Sequence, residues 1–217
     1  MFIKVNNVQI FYKKSGSGPP LLLLHGNGED HHIFDKISLK LAATFTLYAI
    51  DSRNHGESER TNEFSYESMA EDIFHFIKDL NLGPSNILGF SDGAILALFL
   101  ALKKAPLRKM ALLGVNLNPS DFTAEFHKFI QDTYEKNQDP LFKLMLTEPN
   151  IDPESLKHLE IPSLVVAGEN DIFKPEVFTL VAEKLPQATL KIISGHTHES
   201  YIVDNDLLAQ DFLDFFA

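Results

Sequence analysis

The chain alternates between short, uniformly apolar runs and longer stretches whose apolar residues recur at helical spacing. Phe2 to Val5 and Val8 to Tyr12 are β-rich runs separated by Asn6-Asn7, asparagines that tolerate positive φ, and they predict a β-hairpin. After the breaker cluster Ser15-Gly16-Ser17-Gly18-Pro19-Pro20, the run Leu21 to Leu24 has no polar face. Such a run is expected in the buried middle of a parallel sheet. It ends at His25-Gly26-Asn27-Gly28. Ile33 to Ala43 predicts a helix, Phe45 to Ile50 a strand and Asp51 to Ser58 a loop. Tyr66 to Leu80 carries Met69, Ile73, Phe76, Ile77 and Leu80 close to helical spacing, and Gly83-Pro84 stops it.

Beyond that point the pattern predicts strand Asn86 to Phe90, helix Ala94 to Lys104, strand Met110 to Val115, strand Ser163 to Ala167, helix Glu176 to Leu185, strand Thr189 to Ile193 and helix Leu207 to Phe216. Strands that alternate with helices need crossover connections. The expected fold class is therefore α/β: a mostly parallel sheet of about eight strands with helices on both faces, in one domain over residues 1–217. The interval from 116 to 161 breaks the rhythm. It is helix-like throughout, with Phe122, Phe126, Phe129 and Ile130 on one stripe, followed by Leu141, Leu144 and Met145. A small helical cap inserted between two core strands is expected there.

Composition narrows the partners. Lysine plus arginine number 19 against 30 aspartates and glutamates, a formal net charge of −11, which repels phosphate backbones and anionic lipid headgroups. Nucleic acid is therefore not an expected partner. With no cysteine there is no disulfide framework, thiolate metal site or cysteine nucleophile. The N-terminus has no basic segment leading into an apolar one, and no run approaches the ~18 apolar residues of a membrane span. These features predict a cytoplasmic protein that neither crosses nor enters a membrane. None of the nine histidines is spaced as a metal pair on a helix, so no metal and no cofactor are expected.

The chemistry centres on Ile87-Leu88-Gly89-Phe90-Ser91-Asp92-Gly93-Ala94. An apolar strand meets a Gly-x-Ser-x-Gly and then an apolar run long enough for a buried helix. At such a turn the serine is forced into a strained conformation, and the flanking glycines keep side chains out of the bend. A serine hydroxyl is a poor nucleophile at neutral pH; it needs a base beside it and a third group to fix the base's tautomer. An acid and then a histidine should follow, each at the carboxyl end of a later strand. The strand ending at Ala167 runs into Gly168-Glu169-Asn170-Asp171, and the one ending at Ile193 runs into Ser194-Gly195-His196-Thr197-His198-Glu199-Ser200-Tyr201.

With these pieces in that order, the sequence resembles the α/β-hydrolase superfamily over essentially its whole length. The matching segments are His25-Gly26-Asn27-Gly28, Asp51 to Ser58 in the manner of a D-x-R-G-x-G-x-S loop, the elbow at Ser91, Ile161-Pro162 leading into Gly168-x-x-Asp171, and the histidine loop. Asn54 departs from the pattern, standing where the family usually has a glycine.

The resemblance implies that Ser91 is the nucleophile and that Asp171 orients the base. It also implies that the backbone N–H groups of Asn27 and Asp92 form the oxyanion hole. Relatives typically place four residues between the strand and the histidine. Ser194 to Thr197 fill those places, which makes His198 the expected base and His196 the alternative.

The expected activity is that of a serine hydrolase cleaving a small to medium, largely apolar ester through an acyl-enzyme. The same machinery also serves acyltransferases, lyases and thioester or carbon–carbon hydrolases, and a non-catalytic binding protein on this scaffold is a further alternative. The acidic residues Glu29, Asp30, Asp92, Glu169 and Glu199 lie close to motif positions, so an acidic mouth that disfavours anionic substrates is also expected.

Overall fold

A computed structural model describes all 217 residues. Eight strands form one sheet: β1 (Phe2–Val5), β2 (Val8–Ser15), β3 (Pro20–Leu24), β4 (Thr46–Ile50), β5 (Ser85–Phe90), β6 (Leu107–Leu113), β7 (Ser163–Asn170) and β8 (Ala188–Thr197). Their spatial order is β1-β2-β4-β3-β5-β6-β7-β8. The β1–β2 and β2–β4 pairs are antiparallel and the others parallel. Asn6 and Asn7 turn the opening hairpin at φ of 47° and 63°, both in the left-handed region that short-looped hairpins need.

Six α-helices lie between the strands, α1 (Asp35–Leu41), α2 (Tyr66–Asp79), α3 (Asp92–Leu102), α4 (Ala124–Asn137), α5 (Pro140–Thr147) and α6 (Pro175–Lys184), and α7 (Ala209–Phe216) follows β8. The side-chain period of two along a strand explains why the central runs lack polar positions. Leu22 and Leu24 of β3 join the larger core with Met69, Ile73, Leu96 and Phe178. Leu21 and Leu23 join the other, with Ile37, Leu41, Phe212 and Phe216. Both faces of the sheet are therefore covered, one by α2, α3 and α6 and the other by α1 and α7. No helix is long and apolar enough to cross a membrane.

Several element bounds differ from the pattern-based expectation, with β2, β6 and β7 each displaced or extended by two or three residues, and three differences bear on the architecture. The helix expected over Ile33–Ala43 starts as a 3₁₀ turn at His31–Phe34, capped by Asp30, and is α-helical only over Asp35–Leu41. Segment 116–161 is several short pieces, with 3₁₀ turns at Pro119–Asp121 and Pro153–His158 around α4 and α5. The strand expected to stop at Ile193 runs on to Thr197, which pairs with Asn170 past an irregularity in β7. That extension is mostly exposed and held by backbone pairing, so hydrophobic patterning does not register it.

Loop 51–58 is fastened from beneath. Arg53 and Asp72, each almost fully buried, form a two-pronged pair with Nε–Oδ2 of 2.6 Å and Nη2–Oδ1 of 2.7 Å. Asn54 occupies the left-handed region at φ 67°, which accounts for an asparagine where a glycine is usual. Removing one partner of a buried ion pair strands the other's charge. Asp72→Ala should therefore lower unfolding free energy by about 3–5 kcal/mol in urea titrations, whereas a loss under about 1 kcal/mol would show that Arg53 finds compensation in Glu63 or water.

Candidate active site

Ser91 links β5 to α3 with φ 52° and ψ −115°, a conformation a side-chain-bearing residue adopts only when its surroundings impose it. The surroundings here are two glycines. A β-carbon on Gly89 would lie 2.2 Å from the Gly93 carbonyl oxygen, and one on Gly93 would lie 2.0 Å from the Leu24 carbonyl oxygen. Neither position has room for a side chain, so strand and helix meet backbone to backbone and the serine is left at the crest.

Three of the residues expected at the site converge there from the ends of separate strands. The His198 Nε2 lies 3.1 Å from Ser91 Oγ, and its Nδ1 lies 2.8 Å from Asp171 Oδ1. A carboxylate can only accept, so the Nδ1 proton is donated to Asp171 and Nε2 is free to accept the serine hydroxyl. The Asp171 side chain is 2% exposed and that of His198 11%. Oδ1 also accepts the Phe173 N–H at 3.2 Å, while Oδ2 is buried without a hydrogen-bond partner, leaving the imidazole as the principal group facing this carboxylate. His196 is placed elsewhere: its Nδ1 lies 3.0 Å from Ser200 Oγ, and its ring reaches neither Ser91 nor Asp171.

Asn27 and Asp92 flank the serine. The Asn27 N–H makes no hydrogen bond within the protein. Asp92 begins α3, so its N–H has no carbonyl one turn back in the helix. One buried carboxylate ties the two together. The Asp92 Oδ2 accepts Asn27 Nδ2 at 3.0 Å and its Oδ1 accepts the Tyr66 hydroxyl at 2.7 Å. Burial raises the Asp92 carboxyl above the usual carboxylate range, and the two donors and nearby His55 and His198 oppose that rise. Beneath this loop His25, lowered to about 4 by burial and by neighbouring His55, is neutral. It donates from Nδ1 to the Gly26 carbonyl at 2.7 Å and accepts the Ser52 N–H at 3.0 Å. His25 thus braces the loop.

Ser91 faces a cavity of about 450 Å³. Phe126 and Phe129 from α4, Leu141, Phe142 and Met145 from α5, and Ile172 form its apolar wall, so the inserted helices line the space above the serine. Glu29, Asp139 and Glu199 supply its acidic groups. Asp30, His31 and His32 bring ligand-capable atoms within 4.8 Å of one another, but Asp30 caps the 3₁₀ turn, His31 pairs with Asp51 and His32 with Asp35.

Two contributors carry no sequence signal of their own. Gly114, at φ 57°, lies where a β-carbon would meet His198 Cε1 at 2.5 Å and Nδ1 at 2.8 Å, so only glycine leaves room for the ring. Tyr66 reads as the first core residue of an amphipathic helix, yet its hydroxyl reaches Asp92. The imidazole is further held by Phe90 and Phe173, at centroid distances of 4.9 and 5.4 Å.

Comparison with known proteins agrees with this architecture. A family model described as alpha/beta hydrolase fold matches residues 19–139. Serine hydrolase BPHL of Homo sapiens is 27% identical over 250 residues, covering 97% of this chain and 85% of that protein. Ethanol acetyltransferase 1 of Hanseniaspora uvarum is 32% identical over 96 residues, 43% of this chain and 29% of that enzyme. Among solved structures, an esterase from a marine microorganism is similar at a TM-score of 0.75 and 26% identity, covering 95% of this chain and 98% of that one. The chain spans 29% to 55% of the length of several curated relatives it matches. By the family match over more than half its length, and with the sheet order that carries Ser91, this chain belongs to the alpha/beta hydrolase fold family.

Proposed function

We propose that the protein is a serine hydrolase that cleaves small to medium, largely apolar carboxylic esters through an acyl-enzyme. The observation that carries this reading is the unbroken relay from Asp171 through His198 to Ser91, at 2.8 and 3.1 Å, opening on an aromatic-walled cavity.

The Ser91 hydroxyl attacks the ester carbonyl while His198 Nε2 takes its proton. Charge builds on the carbonyl oxygen, within reach of the two backbone donors of Asn27 and Asp92. Asp171 stabilises the imidazolium and holds its tautomer. His198 then protonates the departing alkoxide, leaving an acyl-serine. Water, deprotonated by the same ring, attacks in turn, and collapse returns the free serine and a carboxylic acid. Segment 116–161 acts as a cap whose phenylalanines bind the apolar part of the substrate, and the cavity of about 450 Å³ limits its size. The substrate is a small molecule, and none of these steps calls for a cofactor.

Acyl transfer is the second reading, favoured by the similarity to an ethanol acetyltransferase. There an alcohol replaces water as the second nucleophile, and the residues keep their roles. Adding ethanol to an ester assay separates the two: the hydrolase reading gives mainly free acid, and an ethyl ester as the main product would favour transfer.

Substitution of the two neighbouring histidines tests the assignment of the base. His198→Gln should reduce kcat by about 10⁴-fold, whereas His196→Gln should keep most of the activity. The reverse pattern would assign the base to His196. Ser91→Ala should lose turnover while melting as a folded protein.

A further inference from the structure

The cavity above Ser91 carries charge of one sign. Glu29, Asp139 and Glu199 line it, no lysine or arginine does, and His198 is its basic group. The three carboxylates are not equivalent. Glu199 is exposed, where water and salt screen it, and Asp139 is occupied at the start of α5, accepting the Leu141 N–H at 2.9 Å. Glu29 is half-buried and lies against the reacting groups. Its Oε2 accepts the Gly26 N–H at 2.9 Å. A single point above the Gly26 α-carbon lies 2.6 Å from that oxygen and 3.1 Å from Ser91 Cβ.

We propose that Glu29 is a specificity-determining residue, which makes this site reject esters carrying a carboxylate on the acyl chain in favour of uncharged esters of the same length. The inference rests on the reading of Ser91 as nucleophile. The apolar wall of the cavity, with Phe126, Phe129 and Phe142, offers an anion no hydrogen-bond donor. An acyl chain ending in a carboxylate therefore meets repulsion on one side and desolvation without compensation on the other.

The same geometry sets a pH dependence. Burial pushes the Glu29 carboxyl up to about 7. The Gly26 N–H and His198 favour its ionised form, and Glu199 and Asp92 oppose it. Glu29 is thus largely neutral well below pH 7 and charged above it, so rejection of anionic esters strengthens as pH rises through that value.

The test is the ratio of kcat/KM for p-nitrophenyl hexanoate to that for mono-p-nitrophenyl adipate, measured from pH 5.5 to 8.5. Any effect of pH on the reactivity of Ser91 itself is common to both esters and cancels in the ratio. The expected ratio is about 10-fold or more at pH 8.5 and falls severalfold toward pH 5.5. Glu29→Gln, whose amide oxygen can still accept from Gly26, should lower the ratio at pH 8.5 and remove its pH dependence. A ratio near one in the natural protein overturns the proposal, as does one that neither pH nor Glu29→Gln changes. Should the variant not fold, the pH series on the natural protein decides alone. Failure of the underlying reading shows separately, as turnover that survives in Ser91→Ala, and the ratio can then still be read on the group that acts.

Discussion

At Gly93 the backbone of α3 comes so close to Leu24 that a β-carbon would sit 2.0 Å from its carbonyl oxygen, and at Gly89 the chain is as tightly apposed to Gly93. This crossing is the constraint from which the site follows. It brings β5 and α3 together without side chains between them and leaves Ser91 at positive φ, a local cost of about 1–3 kcal/mol that the surrounding packing must offset. The offset is visible. Strand β5 is buried along its whole length, and the helix that follows has its apolar residues almost completely enclosed.

Around that crest, buried polar groups join loops that the sheet only brings near one another. Asp92 bonds to Asn27 of the loop after β3 and to Tyr66 at the start of α2. His25 braces the same loop against Ser52. Asp51 accepts His31 at both its backbone N–H and its ring, and also the Glu57 N–H. The Arg53–Asp72 pair anchors this cluster to α2. Buried polar groups are costly unless satisfied, and once satisfied they favour one arrangement over its neighbours. A site made of loops acquires definition of this kind, since apolar contacts alone tolerate sliding.

Much of this was legible along the chain because the informative residues sit where patterns change. Strand and helix periods alternate from Phe2 to Phe216, and the expected α/β sheet follows from that alternation. Ser91 and Asp171 each follow an apolar run, and so do both His196 and His198; the pattern narrows the base to that pair, and the fold sets His198 beside Ser91. Other features escaped for physical reasons. The end of β8 is exposed and fixed by pairing with β7, so nothing hydrophobic marks it. The roles of Gly114 and Tyr66 depend on approach to residues far away in sequence, His198 and Asp92, which no local pattern records. Glu29 was visible as one acid among several near the motifs, but its position beside Gly26 and Ser91 emerges only from the fold.

In the proposed reaction Ser91 forms a covalent bond with the acyl group. Rapid quenching of a p-nitrophenyl butyrate reaction, followed by peptide mass analysis, observes that bond directly. The expected result is a burst of about one equivalent of p-nitrophenol, with the butyryl group on the peptide containing Ser91. Turnover with no burst and no adduct, or with the adduct on another residue, would contradict it.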